Sequence, residues 1–431
     1  MTENYDSWDA VIIGGGAAGF FGAIACANAA RQGARILIVE RASRVLQKVK
    51  ISGGGRCNVT HDCLEPKRMA ARYPRGNKEL VGPFYRFGVR ETIRWFKSHG
   101  VELKTEADGR IFPITDDSQT IIDCLRQTAD QAGVKLRCRA PVLAIRPLES
   151  PGNTTDELSG RPAGKEAETV FEIDIKGGDR LRARRVLVAS GGTRLGSSEV
   201  LPESLGHDLD SAVPSLFTFQ IDDSLLEGMQ GLAVNPVEIK VQGHDLASEG
   251  PLLITHWGVS GPAVLELSAW GAREFFEVDY DFEISVNWLP GVDLEAQFHQ
   301  LRHHWGGRQI TSRSPVESIP RRLWQRLVEA AGIPGDRRWA EFSKAQSRTL
   351  IDQLTDTRLS VTGQSTYKDE FVTCGGVRTD QLDLRTMESR QISGLYFAGE
   401  VINIDGITGG FNFQNAWTTG FLAGQAMAEG L

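Results

Sequence analysis

The chain has 431 residues, of which 41% are hydrophobic and 24% charged, and its formal net charge is −7. This composition lies in the ordinary globular range and excludes disordered, fibrous and coiled-coil proteins. At about 150 residues per domain, the length predicts two to three domains. Glycine is the outlier, since its 47 copies are about 11% of the chain against roughly 7% in average proteins. Because these glycines are clustered, they indicate backbone that approaches a ligand closely.

The first forty residues predict one βαβ unit. Residues 9–13 form a short apolar strand, a glycine-rich turn follows, and an alanine-rich helix ends at Gly33. Residues 34–39 are a second apolar strand, so that a parallel pair with a right-handed crossover is expected. Residues 11–30 have the length of a membrane span, but six of the twenty are Gly or Asn and acidic residues precede them. We therefore interpret them as a buried strand and helix, and expect no membrane association.

The turn of this unit carries the pattern Gly14-x-Gly16-x-x-Gly19, and Glu40 ends the second strand. Such glycines permit a tight turn and close approach to a pyrophosphate, while the helix N-terminus supplies amides for its charge. An acid at the position of Glu40 accepts hydrogen bonds from ribose hydroxyls. The unit therefore predicts a dinucleotide site.

The rest of the chain predicts a discontinuous α/β domain with an insertion. Strands are expected at 142–146, 170–175 and 181–189, with an exposed loop at 149–169, as a meander lying on the first sheet. Beyond residue 193 the sequence pattern changes. It first predicts β-strands, at 233–241 and 282–288, and then a helical block at 316–354. A last strand at 394–400 and a helix at 409–428 return to the first domain. The predicted domains are a dinucleotide-binding domain (1–192 and 367–431), a β-rich domain (193–290 and 355–366) and a helical subdomain (291–354).

FAD-binding and NAD-binding domains share the first βαβ unit, and the last strand of the chain distinguishes between them. In FAD-binding folds with two motifs, a late strand ending in Gly-Glu, here Gly399-Glu400, brings an acid to the ribityl chain. The following helix then directs its N-terminal amides at the flavin ring. The loop at 52–58, Ser-Gly-Gly-Gly-Arg-Cys-Asn, could run along the flavin, with Arg56 on a phosphate and Asn58 on a ring atom.

Cysteine and histidine chemistry is sparse. The six cysteines include no Cys-x-x-Cys pair, so we expect no disulfide framework, no metal site and a reducing cytoplasm. Five residues separate Cys57 from Cys63, one more than in flavin disulfide reductases, and a dithiol mechanism is not favoured. His256, in a loop with a Trp and a Ser, is a candidate substrate-side proton donor, or alternatively a hydrogen-bonded structural histidine.

One segment, 67–97, is strongly basic, with nine Lys or Arg against two Glu. Six aromatic residues are interleaved with these bases, so that the segment could offer phosphate contacts and stacking surfaces to RNA. The alternative is a solvated helix face, since Arg86, Arg90, Arg94 and Lys97 recur at helical spacing.

Together, residues 14–19, 52–58, 250–262, 386–389 and 394–420 resemble the BaiN/RdsA family of FAD-dependent oxidoreductases. The resemblance implies a Rossmann-like FAD domain interrupted by a β-barrel-like domain and a small helical one. Departures are Phe411 where the family tends to have Tyr, Gln47 where it has Lys, and a short 193–205 segment. The expected cofactor-binding residues are Gly14, Gly16, Ala18, Gly19, Glu40, Lys48, Ser52, Gly53, Gly54, Arg56, Cys57, Asn58, Val142, Gly191, Gly399, Glu400, Gly409, Gly410, Phe411 and Asn412.

The expected function is hydride transfer between FAD and an unsaturated small molecule, with NAD(P)H as transient reductant. Family activities are heterogeneous, and two alternatives stay open. One is a flavin-dependent reductase of a uridine in ribosomal RNA, which would use the basic segment 67–97. The other is a flavin-binding redox sensor without turnover. The preferred nicotinamide and the oligomeric state do not follow from the sequence.

Overall fold

The structure is a computed structural model that describes residues 6–148, 169–192, 200–365, 372–429 and 431. The chain divides into two compact units, Met1–Pro214 with Val372–Leu431, and Ser215–Phe371. Nearly all of the expected loop at 149–169 lies outside the described residues. The finer division into three domains stays a prediction.

The described strands, in chain order, are β1 (Asp6–Ile13), β2 (Ile36–Val39), β3 (Thr60–His61), β4 (Leu103–Thr105), β5 (Arg110–Pro113), β6 (Lys135–Arg137), β7 (Val142–Leu148), β8 (Val170–Ile175), β9 (Arg180–Val188), β10 (Leu209–Ser215), β11 (Thr218–Gln220), β12 (Ala233–Val241), β13 (Ala247–Ile254), β14 (Gly258–Ser260), β15 (Phe282–Asn287), β16 (Thr357–Val361), β17 (Gly363–Ser365), β18 (Val372–Val377), β19 (Leu382–Asp383), β20 (Glu388–Ser389) and β21 (Leu395–Phe397).

The described α-helices are α1 (Ala17–Ala29), α2 (Gln47–Gly55), α3 (Pro66–Ala70), α4 (Val81–Arg86), α5 (Val89–Ser98), α6 (Ser118–Gln131), α7 (Val200–Ser204), α8 (Pro262–Trp270), α9 (Ala272–Glu277), α10 (Leu294–His304), α11 (Arg321–Ala330), α12 (Lys344–Thr355) and α13 (Phe411–Ala428). No helix of the described ranges combines the length and the apolar character that crossing a membrane requires.

The first unit is built on a nine-stranded sheet whose main path is β19-β20-β21-β9-β1-β2-β6. Strands β21, β9, β1, β2 and β6 are mutually parallel, as the βαβ pattern predicts. Their apolar runs are buried on both faces, because helices cover a parallel sheet; Val11 and Ile12, for example, are fully buried. The predicted Rossmann-like α/β class is confirmed.

The expected meander differs in its placement. Strand β8 is antiparallel to both β7 and β9, while β9 also lies between β1 and β21 in the parallel sheet. The meander therefore does not lie on the sheet but continues it through β9. The reason is the length of β9, nine residues, whose first half pairs with β8 and whose second half pairs with β21.

Helices α1 and α13 cross closely on this sheet because small residues face each other. A Cβ on Gly424 would lie 2.2 Å from the carbonyl oxygen of Gly22, and a Cβ on Gly420 would lie 2.5 Å from that of Ala18. Glycine is required at such backbone contacts. This crossing brings the first and the last helices of the chain together.

The second unit contains a seven-stranded sheet in the order β16-β15-β12-β13-β14-β11-β17, and its ladders are antiparallel. Its end strands, β16 and β17, are separated only by residue 362, so the sheet must curl strongly. Helices α10, α11 and α12 belong to the same unit, where Phe298, Trp324 and Trp339 are buried in one cluster. The barrel-like description of this region stays a prediction.

Candidate functional site

The site-forming edge of the first unit lies at the carboxyl ends of its parallel strands. Strands β1, β2, β9 and β21 run in one direction, so the residues that follow them emerge at the same edge. In open α/β sheets this edge is where ligands bind. The sequence places Gly14, Glu40, Gly191 and Gly399 there, each within three residues of a strand end.

The turn after β1 has no room for side chains. Gly14 has φ +112°, and a Cβ at this residue would lie 2.2 Å from the Ala189 carbonyl oxygen; a Cβ on Gly19 would lie 2.0 Å from the carbonyl oxygen of Gly14. A Cβ on Gly16 would instead meet no atom within 4 Å. Two glycines are thus required by packing, while the third leaves open space in front of the helix.

The N-terminus of α1 is suited to an anion. The first bond of the helix runs from Phe20 N to Gly16 O, so the three preceding amides have no acceptor within the helix. The first turn carries no acidic side chain, and Gly16 provides no side-chain cap. The uncompensated amides and the helix dipole favour a phosphate at this end.

Glu40 is fixed by the backbone around it. Its Oε2 accepts from Gly15 N at 2.8 Å, and its Oε1 accepts from Ala42 N at 2.7 Å. A carboxylate has about four lone-pair sites, so both oxygens keep capacity for hydroxyl donors. The predicted ribose acceptor is therefore held rigidly beside the glycine turn.

The segment from Ser52 to Asn58 is irregular rather than helical. Within α2 the backbone breaks at Ser52, Gly53 and Gly54, and the two glycines have positive φ. A Cβ on Gly54 would meet no atom within 4 Å, so backbone is exposed there. Arg56 is engaged by the protein: its Nη1 donates to Glu106 Oε1 at 2.6 Å, and its guanidinium lies 4.0 Å from the centre of the Phe112 ring.

Asn58 joins this segment to the N-terminus of α13. In the orientation that satisfies both ends of the amide, its nitrogen donates to Thr60 O at 2.9 Å and its oxygen accepts from Gly410 N at 3.0 Å. A Cβ on Gly410 would lie 2.6 Å from Thr60 C. Asn412 closes the same loop, since its Oδ1 accepts from Gly406 N at 2.8 Å and its Nδ2 donates to Gly406 O at 2.7 Å.

The N-terminus of α13 resembles that of α1 in its chemistry. Its first bond runs from Gln414 N to Gly410 O, its first turn has no acidic residue, and Gly410 provides no side-chain cap. Three amides are again without an intrahelical acceptor. Phe411 begins this helix and stacks on His61, with ring centres 4.9 Å apart.

Glu400 is held by both halves of the first unit. Its Oε1 accepts from Thr373 N at 2.9 Å, and its Oε2 accepts from Lys48 Nζ. A Cβ on Gly399, which precedes it, would lie 2.9 Å from Ala18 Cβ. The Gly-Glu motif of the last strand therefore abuts the N-terminal turn of α1, although the two are almost the whole chain apart.

The structure supplies little evidence on two of the predicted cofactor contacts, Val142 and Gly191, and on the predicted proton donor, His256. Val142 is the first residue of β7 and pairs with Ile175. Gly191 has φ +81°, and a Cβ there would meet no atom within 4 Å. His256 is exposed and lies in the second unit, between β13 and β14. The roles of these residues stay predictions.

His61 is a residue that the sequence analysis missed. Its Nε2 lies 3.2 Å from Asp108 O, which can only accept, so Nε2 carries the proton. Its Nδ1 is buried and has no hydrogen-bond partner within the described ranges, and burial lowers the pKa of His61. The available signal was its position three residues after Asn58.

A second missed group supports the loop before α13. Arg75 and the fully buried Asp405 form a two-point ion pair, in which Nε donates to Oδ1 at 2.6 Å. Tyr73 is also fully buried, and its hydroxyl donates to Phe411 O at 2.5 Å. Because these partners are more than 300 residues apart in the chain, no local pattern could indicate them.

The basic segment is only partly as expected. Helix α5 exposes Arg90, Arg94 and Lys97, as helical spacing predicts. Most of the interleaved aromatics do not form a stacking surface, since four of them are buried: Tyr73, Phe84, Phe87 and Phe96. Trp95 is half-buried and stacks on His99. Among these six aromatic residues, Tyr85 is the one with an exposed side chain, at 61% exposure.

No disulfide joins any of the six cysteines, all of which lie in the described ranges. Burial raises the pKa of Cys57 to about 12, so that its reactive thiolate is scarce at neutral pH. Cys63 is half-buried, and burial raises its pKa as well. No group of three or more His, Cys, Asp or Glu in the described part of the chain is placed to hold a metal ion.

Reduction of the flavin by saturating NAD(P)H, the reductant that the sequence predicts, is therefore expected to keep its rate in the Cys63→Ser variant. Stopped-flow absorbance at the flavin band measures this rate, with the wild-type chain as reference. A flavin-to-thiol charge-transfer band that forms in the wild type and disappears in the variant would show that the cysteine takes part.

Comparison with known proteins identifies the family. The family model described as "HI0933-like protein Rossmann domain" matches residues 8–426. The chain belongs to this family. The resemblance seen in the motifs is confirmed, and the chain is a flavin-dependent oxidoreductase.

Two curated relatives and one solved structure match this chain over nearly its whole length. The chain is 32% identical over 430 residues to a ribosomal RNA dihydrouridine synthase of Escherichia coli, covering 97% of this chain and 98% of that protein. It is 29% identical to a 3-dehydro-bile acid delta(4,6)-reductase of Clostridium scindens, covering 97% and 98%. A 3-ketosteroid-delta4-(5alpha)-dehydrogenase from Rhodococcus jostii matches with TM-score 0.52 and 17% identity, covering 99% and 98% of the two chains. The last match bears on the fold alone.

Proposed function

We propose that FAD binds along the carboxyl edge of the nine-stranded sheet and that the enzyme transfers hydride to an unsaturated small-molecule substrate after reduction by NAD(P)H. The observation that carries this proposal is the approach of Gly399 to Ala18, with 2.9 Å between their Cβ positions. It brings the first and the last dinucleotide motifs to one place. The flavin, when bound, supplies hydride chemistry at its N5 atom.

The residues present fit such a cofactor. Glu40 keeps acceptor capacity for ribose hydroxyls, and the amides at the start of α1 lack acceptors within their helix. A buried hydroxyl, Ser190 Oγ, lies two residues after the end of β9 and has no partner among the described residues. Open space in front of Gly16, Gly54 and Gly191 allows close approach to backbone. Lys48 and Glu400, which come from opposite ends of the chain, form an ion pair at this site.

We assign the N-terminus of α13 to the flavin ring, whereas the N-terminus of α1 is assigned to the pyrophosphate. The α13 amides without intrahelical acceptors and the positive dipole end of this helix would stabilise the negative charge that a flavin held near Gly410 gains when it is reduced. Asn58 holds Gly410 by its amide oxygen, so the donors are fixed before a ligand arrives. Fixed donors cost no reorganisation at the moment of reaction.

Hydride addition to a carbon–carbon double bond also needs a proton on the second carbon. We propose His256 as its donor, because a histidine exchanges protons near neutral pH and this one is exposed. His256→Asn is expected to slow reoxidation of the flavin by substrate much more than its reduction by NAD(P)H. Stopped-flow measurement of both half-reactions, with a 3-oxo-Δ4 steroid as trial substrate, tests this. Equal slowing of both half-reactions would indicate a structural role.

Reduction of a uridine in ribosomal RNA is a second candidate function, favoured by the name of the relative from Escherichia coli. The exposed bases of α5 could contact phosphates, and such contacts weaken steeply with salt. The burial of four aromatics in segment 67–97 removes most of the stacking that the sequence suggested. This candidate therefore depends on charge more than on stacking.

If RNA is the substrate, Arg94→Ala with Lys97→Ala is expected to weaken binding of structured ribosomal RNA and to reduce its salt dependence, while FAD content is unchanged. Filter binding over a range of salt concentrations measures both. Absence of binding by the wild-type protein at low salt would exclude this candidate.

A further inference from the structure

A pocket in the first unit lies outside the edge where we place the FAD. It has a volume of about 230 Å³ and lies among α3, α4 and the start of α5. Its walls include Leu64, Met69, Phe84, Tyr85 and Val89, and Arg90 stands at the same pocket. The expected FAD contacts include none of these residues.

The interior of the pocket suits a flat apolar ring. Met69 and Phe84 are each 1% exposed and form fixed walls, whereas Tyr85 is 61% exposed. A ring with one free face offers stacking area to a second ring. Pockets that enclose a drug-sized ligand measure roughly 300–1,000 Å³, so this smaller one takes a single ring system and leaves the rest of a larger ligand outside.

Both arginines and acids surround the pocket: Arg90 and Glu91 line it, and Asp62 and Glu65 lie near enough to Cys63 to raise its pKa. Arg68 and Arg72 lie close enough to Cys63, another wall residue, to oppose the effect of burial on its pKa, which is raised. Within the described part of the chain, Arg68, Arg72 and Arg90 have no ion-pair partner. Guanidinium groups without partners favour phosphate, which they bind by paired hydrogen bonds.

Two of these three acids are committed to other contacts. Glu65 accepts from the backbone amides of Lys67 and Arg68 at the start of α3. Glu91 accepts from Gly88 N at 3.1 Å and pairs with Arg94 at 3.7 Å. Both carboxylates accept from backbone amides, and neither forms an ion pair with Arg68, Arg72 or Arg90 within the described ranges.

The pocket is one aromatic ring away from the proposed flavin end of the site. Its wall residue Phe84 packs against Tyr73 with ring centres 5.6 Å apart, and Tyr73 donates to Phe411 O. Phe411 is the first residue of α13. A ligand anchored in the pocket is thus beside the helix whose N-terminus we assign to the flavin.

We propose that this pocket binds the adenine ring of NADPH and that the arginines around it bind the 2′-phosphate. The proposal rests on the proposed function, in which a nicotinamide nucleotide reduces the flavin. An arginine beside the adenosine ribose is the feature that accommodates the 2′-phosphate in NADP-binding sites. Continuous RNA is disfavoured as the occupant, because Tyr85 has no exposed aromatic partner in this segment on which a second base could stack.

Equilibrium binding of 2′,5′-ADP to the purified holoenzyme tests the proposal without turnover. Arg90→Ala and Arg68→Ala are each expected to weaken this binding by about tenfold or more, since each removes a charged hydrogen bond. Tyr85→Ala should weaken 2′,5′-ADP and 5′-AMP alike, whereas Arg90→Ala should leave the weaker 5′-AMP binding unchanged. Lys97→Ala, at an exposed cation of α5 outside the pocket, is the matched control and should change neither.

The outcomes separate this inference from the function on which it rests. Binding of 2′,5′-ADP that responds to Arg90→Ala supports the pocket even if NADPH fails to reduce the flavin, in which case the assignment of the reductant is wrong. Failure of 2′,5′-ADP to bind, or equal affinity in the wild type and the Arg68, Tyr85 and Arg90 variants, overturns the proposal. It is also overturned if a short RNA, but not 2′,5′-ADP, loses affinity in Tyr85→Ala.

Discussion

Arg75→Met is expected to lower the free energy of unfolding of the first unit by about 3–5 kcal/mol, the usual cost of leaving one partner of a buried ion pair alone. Asp405 is fully buried and receives two hydrogen bonds from the Arg75 guanidinium. Methionine keeps the length of the side chain but cannot neutralise this carboxylate. Urea unfolding followed by tryptophan fluorescence measures the loss.

Arg378→Met is the matched control for this experiment. Arg378 pairs with Asp380 at 2.7 Å, but both side chains are about half exposed or more, 49% and 62%. Surface pairs contribute about 0–1 kcal/mol, so this variant should unfold nearly like the wild type. Similar losses in the two variants would show that burial of Asp405 does not govern the stability of this loop.

Glu40→Ala is expected to weaken FAD binding by about 1–3 kcal/mol, because it removes the ribose acceptor and leaves the backbone donors Gly15 N and Ala42 N without their partner. Titration of the apoprotein with FAD, followed by flavin fluorescence, gives the dissociation constants. Glu102→Ala, at an exposed glutamate of the same unit, is the control and should retain wild-type affinity. Retention of that affinity by Glu40→Ala would remove Glu40 from the site.

Elements with strong local patterns were predictable from the sequence. The apolar run, glycine turn and alanine-rich stretch at the start of the chain gave β1, α1 and β2 close to their observed bounds. The final helix, expected from residue 409, begins at Phe411. In these cases burial against one sheet sets the spacing of the apolar residues, and this spacing is visible in the local sequence.

Long-range pairing was not predictable. That β9 belongs to both the meander and the parallel sheet depends on which strands pair, and local periodicity does not report this. The contact of Asn58 with Gly410 and the pairing of Arg56 with Glu106 likewise join distant segments. A basic segment rich in aromatics shows its charges in the sequence, but only the packing of α4 and α5 decides that Tyr85 is exposed while Phe84 is buried.

Identification of the flavin in the purified protein is the decisive experiment on the proposed cofactor site. Denaturation of the yellow protein and chromatography of what it releases identify the flavin and its amount. We expect stoichiometric FAD, because two motifs from opposite ends of the chain meet at Ala18 and Gly399. Release of FMN, or a colourless protein that takes up no FAD when it is added, would show that these motifs do not form an FAD site.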